Sequence, residues 1–146
     1  MRIVLGVVCV VFSGFGWLGQ VISVINYPLA QRLGLQEKSE NTDPLFQQAE
    51  INTAKWDSLV TWTLLAAGIL MLMDHYWWPY LSLIAGGIYL DAGGRETAKC
   101  LSLRKNGIRM GTSKDIKILF SFFTLMIAVG LWVIIYSMWF LTVQGQ

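Results

Sequence analysis

Residues 57–91 read DSLVTWTLLAAGILMLMDHYWWPYLSLIAGGIYLD. Aspartates stand at 57, 74 and 91, and no other Asp, Glu, Lys or Arg interrupts the stretch. As one helix, residues 58–90 would extend roughly 50 Å, against a hydrocarbon core of about 30 Å. That helix would also bury Asp74 and His75 at the bilayer centre, where ionisable groups are costly. A hairpin turning at Asp74-His75-Tyr76 avoids both problems. Tyr76, Trp77, Trp78 and Tyr80 then form an interfacial aromatic belt, and Pro79 falls in a first helical turn, where its missing N–H costs little. Each arm is short for a crossing and suffices if the three aspartates sit at the interfaces or the bilayer thins locally. A re-entrant hairpin is the alternative.

Outward from this stretch, no charged residue occurs from Ile3 to Gln31 or from Ile118 to the end of the chain. Each run is long enough for a crossing helix. A signal peptide is the competing account of the first, but the apolar run exceeds a 7–15 residue h-region and no A-x-A-like site follows it. Val8-Cys9 also lacks the small residue that a lipoprotein cleavage site needs. The whole chain of 146 residues is 55% hydrophobic and 14% charged, with mean hydropathy +0.53. Soluble domains carry about 25% charge, so the composition argues against a soluble globular domain and rules out a disordered chain.

The predicted fold is all-α: a polytopic four-transmembrane-helix bundle forming one membrane domain, residues 1–146. Its helices are expected at about 3–26, 44–73, 76–106 and 113–142, with cytoplasmic segments 27–57 and 92–116. Asp43 and Pro44 supply an N-cap and a first helical residue. From there the 3/4 spacing of Phe46, Ala49, Thr53, Trp56, Val60, Thr63, Ala67 and Leu70 predicts an unbroken second helix. Gly107 reads as the C-cap glycine of the third helix, and Thr112-Ser113 as the N-cap of the fourth. The second and third helices therefore extend beyond the membrane as an antiparallel cytoplasmic hairpin. A turn near 74–75 sets residue i opposite about 149 − i. Glu50 then pairs with Lys99, Phe46 with Leu103 and Ala54 with Arg95, while Gly94 faces Lys55. An exposed Glu50–Lys99 pair would contribute about 0.2–1 kcal/mol and fix the register.

Ten of the eleven basic residues lie between the first and second or between the third and fourth uncharged runs, on the side assigned to the cytoplasm, and only Arg2 lies opposite. The positive-inside rule thus predicts a multi-pass protein of a bacterial cytoplasmic membrane with both termini extracytoplasmic. Arg95, Lys99, Arg104, Lys105 and Arg109 are candidates for contact with anionic headgroups or an acidic partner. Pairing with the acidic first segment (Glu37, Glu40, Asp43, Glu50 and Asp57) is the plainer account.

Gly14-Phe15-Gly16-Trp17-Leu18-Gly19 matches G-x-G-x-x-G, but it lies inside an apolar helix rather than after a strand. Gly14 and Gly16 are instead expected to permit close helix packing, as are Gly86, Gly87, Gly93 and Gly94, whose pairs repeat at seven residues. His75 is the sole histidine, which excludes bis-histidine haem and a multi-histidine metal site. Cys9 and Cys100 are too far apart in this topology for a disulfide. No catalytic residues, cofactor or metal are predicted, and the tryptophans Trp56, Trp62, Trp77, Trp78 and Trp139 read as interfacial anchors. The expected function is a non-catalytic accessory or assembly subunit of a larger membrane complex. Its partners would be membrane lipids and other membrane subunits or a second copy, and no nucleic acid. The alternative is a small channel or transporter with a pore between protomers, lined by Ser13, Gln20, Thr61 and Thr63.

Overall fold

The structure is a computed structural model that describes residues 1–144; the terminus at Gln146 lies outside them. It is all-helical, with 84% helix and no strand among the described residues. The helices are α1 (Arg2–Ile25), α2 (Tyr27–Arg32), α3 (Pro44–Val60), α4 (Trp62–Leu72), α5 (Trp78–Lys105) and α6 (Ser113–Gln144), with one 3-10 turn at Ser39–Asn41. Two of them, α1 and α6, are long and apolar enough to cross a membrane.

Local chemistry sets the boundaries. The Asp43 carboxylate accepts the Leu45 N–H at 2.9 Å, and Pro44 opens α3. α5 ends where Gly107, at φ +74°, permits a Schellman motif: its N–H reaches the Arg104 carbonyl, and the Ile108 N–H reaches that of Leu103. Asp74 (φ 55°) closes α4 in the same way, with the His75 N–H bonded to the Leu70 carbonyl. At the start of α6, Thr112 and Asp115 form a reciprocal capping box.

The expectation of an unbroken helix through residue 61 is corrected: α3 and α4 are separate, with Thr61 between them. Hydroxyls at Ser58, Thr61 and Thr63 bond back to the carbonyls of Lys55, Asp57 and Val60, a pattern that bends helices. The Thr61 carbonyl instead accepts the Tyr89 hydroxyl of α5 at 3.3 Å.

Two seams hold the helices closely. Between α5 and α6, a methyl added at Gly86 would lie 2.9 Å from the Gly130 carbonyl oxygen, and one at Gly93 2.9 Å from that of Phe123. Between α1 and α4, a methyl at Gly68 would lie 3.0 Å from the Gly6 carbonyl oxygen. α4 and α5 complete the layer, and α1 meets α6 through the rings of Phe12 and Phe122. Trp78 is not an interfacial anchor as the sequence suggested. It is fully buried against Tyr136 and Phe140 of α6, while Trp56, Trp62, Trp77 and Trp139 remain exposed.

Candidate functional site

Three features stand out beyond the packing core. The first is an ionic cluster between α3 and α5. Lys99 Nζ donates to Glu50 Oε1 at 2.8 Å and to Thr53 Oγ1 at 2.9 Å, and also contacts Glu96. Arg95 bonds Asp57 at 3.2 Å and lies 3.7 Å from Glu96 and 3.5 Å from Asp91. Glu50, Asp57 and Glu96 are all buried. Burial pushes the Glu50 carboxyl above its usual range, with Lys99 opposing. Burial also works against the charge of Lys99, but Glu50 and Glu96 outweigh it and hold the ammonium pKa above normal. The Glu50–Lys99 pair is therefore not the exposed pair expected from the sequence. α1 packs along α3, and Phe46 and Cys100 are buried in the same core, so Glu50 is shielded from water and Lys99 is only 22% exposed. Arg95 and Lys99 turn inward to carboxylates of this chain, whereas Arg104, Lys105 and Arg109 stay exposed without an ion pair among the described residues.

The second feature is the divided behaviour of the α5 glycines. Gly86 and Gly93 face α6, but among the described residues Gly87 and Gly94 have no neighbour within 4 Å of where a side chain would start, Lys55 included. Packing within the chain thus explains one glycine of each pair and not the other. Gly87 lies in a groove of about 380 Å³ lined by Trp56, Val60, Ile84, Ile88, Asp91 and Arg95. Gly14 and Gly16 make only ordinary contacts, with Leu65 at 4.0 Å and Phe122 at 3.7 Å, and are not points of close helix approach. The close approaches at Gly6, Gly68 and Gly130 were not singled out from sequence, because isolated glycines carry no periodic signal.

The third is a cleft of about 550 Å³ bordered by α1, α6 and the stretch from α2 towards α3. Phe15, Gly16, Gly19, Ile118 and Leu119 form its walls, and the α2-to-α3 connection closes it with Gln31, Gln36, Glu37 and Lys38. This connection is ordered by Gln31 Nε2 donating to the Glu37 carbonyl at 2.6 Å and by Gln36 Nε2 donating to Ser23 at 3.2 Å. Burial raises the Glu37 carboxyl to about 7. Of the candidate pore residues, Ser13, Thr61 and Thr63 spend their hydroxyls on backbone carbonyls three or four residues earlier, and only Gln20 lines an open cavity.

At the opposite end of the bundle, Arg2 forms an ion pair with Asp74 at the α4–α5 turn. His75 is exposed there and stacks on Tyr76. Cys9 and Cys100 are buried free thiols. Comparison with protein-family models, curated proteins and solved structures returns no match.

Proposed function

We propose that this chain is a non-catalytic accessory or assembly subunit of a membrane complex, and that a helix of another subunit packs on the α5 face carrying Gly87 and Gly94. The observation that carries the proposal is the contrast between neighbouring glycines. A glycine in a helix costs about 1 kcal/mol relative to alanine. At Gly86 and Gly93 close approach of α6 accounts for that cost; at Gly87 and Gly94 nothing among the described residues does. Two small residues seven apart on one helix face, beside a shallow groove, suit the approach of a further helix.

In this proposal the membrane is crossed four times, by α1, by α4 with the end of α3, by the first half of α5 and by α6. The ends of α3 and α5 that hold the ionic cluster project into the cytoplasm, and both termini are extracytoplasmic. Support comes from the ten-to-one basic asymmetry and from the Arg2–Asp74 pair, which sets the N-terminus and the α4–α5 turn at one end.

The test is the double substitution Gly87→Leu/Gly94→Leu, with the protein recovered in mild detergent. The variant is expected to remain folded and monodisperse, since the positions are open, but to lose foreign subunits that copurify stoichiometrically with the wild type. Undiminished recovery of those subunits would refute the assignment. A pure symmetric homo-oligomer from the wild type would favour the inter-protomer pore instead.

A further inference from the structure

We infer that the cleft between α1 and α6 is a binding site for one phospholipid bearing a primary ammonium headgroup. The inference takes α1 and α6 as membrane-crossing helices and does not depend on a partner at α5. A site of about 550 Å³ lies within the range of small-molecule sites, and its composition is graded. Phe15, Gly16, Gly19, Ile118, Leu119 and Phe122 give an apolar wall on the two most lipid-like helices of the fold. Phe15 and Ile118 are themselves exposed at its lip, so an acyl chain can enter from the side. The other end is polar and acidic on balance.

Three groups there select the head. Gln20 lines the cleft, and its Oε1 is buried with no hydrogen-bond partner among the described residues, a state that is costly for an acceptor unless a donor reaches it. Glu37 lies in the same cleft with no ion pair among the described residues, and burial, Glu50 and Asp115 disfavour its charge, with a backbone hydrogen bond and Lys99 opposing. Asp115 adds a second carboxylate on the α6 side. These acceptors call for a cationic N–H donor, which a primary ammonium supplies and a quaternary ammonium does not. Lys38 lines the same end and gives the lipid phosphate a counter-charge. An anionic headgroup without an ammonium would instead bring its charge towards two carboxylates.

The experiment is native mass spectrometry of the protein released from nanodiscs containing equal parts of phosphatidylethanolamine, phosphatidylcholine and phosphatidylglycerol with distinguishable acyl masses. One retained phosphatidylethanolamine per chain is expected, at least fivefold above either competitor. Gln20→Leu and Glu37→Gln should each reduce that preference at least threefold, with unfolding temperatures in detergent no lower than wild type. Gly19→Leu, which fills the cleft from the α1 side, should abolish retention of any tight lipid. Equal retention of the choline lipid, preference for the glycerol lipid, or a preference unaltered by all three substitutions would overturn the inference. Failure of the α5 partner test leaves this result unaffected, because the two surfaces share no residue.

Discussion

Substituting Lys99 by methionine tests whether the ionic cluster is a buried structural element. The methionine keeps much of the aliphatic stem and removes the ammonium. Glu50 and Glu96, whose side chains are 10% and 4% exposed, would lose their shared cation. Arg95 is 3.7 Å from Glu96 and already bonded to Asp57, so it cannot replace Lys99 at Glu50. Removing one partner of a buried ion pair costs about 3–5 kcal/mol, because the remaining charge is left desolvated. For a chain of this size that is a fall of roughly 10 °C in unfolding temperature. Tryptophan fluorescence during heating in detergent at pH 8 would measure it. The loss should be smaller at pH 5 than at pH 8, because burial holds the Glu50 carboxyl above its usual range and losing Lys99 raises it further, so protonation relieves the uncompensated charge more readily as pH falls. A combined Glu50→Gln/Lys99→Met variant should recover much of the loss at pH 8. A drop of less than about 1 kcal/mol, equal at both pH values, would mean that the pair behaves as an exposed one and would refute the argument.

Glu37→Gln should flatten the pH dependence of stability in lipid-free detergent. A carboxyl raised to about 7 favours the folded state most below its unfolded value near 4.5 and loses that contribution as pH rises through 7, so the variant should be the more stable protein at pH 8 by on the order of 1–3 kcal/mol. Gly94→Ala should stabilise the isolated chain by about 0.5–1 kcal/mol, whereas Gly93→Ala should destabilise it, since its methyl would meet the Phe123 carbonyl at 2.9 Å; denaturation of the two variants side by side should give opposite signs. Asp115→Ala removes the acceptor of the Thr112 N–H and should cost about 1 kcal/mol, read as earlier loss of helical circular dichroism.

What was legible in the sequence was mainly what is determined locally. Asp43-Pro44, Gly107 and Thr112 mark helix ends because capping involves only the nearest turn of chain. The contact between Glu50 and Lys99 follows from one turn position and a constant rise per residue. Phase is another matter. A seven-residue repeat identifies Gly86 with Gly93 and Gly87 with Gly94 as faces of one helix, but it does not say which face meets α6. That depends on Gly130, 37 positions beyond Gly93 and outside any repeat. The burial of Trp78 is hidden for the same reason: an interfacial tryptophan and a core tryptophan differ only in whether Tyr136 and Phe140 arrive beside them.

The error about Glu50 exposure is the instructive one. Antiparallel numbering treats α3 and α5 as two helices in water, and in that setting their charges would be solvated. In the structure α3 and α5 approach each other less closely than α4 and α5 do, while α1 packs along α3. The space between α3 and α5 is therefore covered and is filled by long side chains, with Phe46 and Cys100 packed beside them. Three buried carboxylates, Glu50, Asp57 and Glu96, share two cations across it, Arg95 and Lys99. Such a cluster adds little net stability over an apolar core but strongly penalises a slip in register, because a displaced charge would be buried alone. A slip of one turn would carry Lys99 away from Glu50 and Arg95 away from Asp57 together. The charges thus fix how α3 sits against α5, and with it which glycines of α5 are left facing outward.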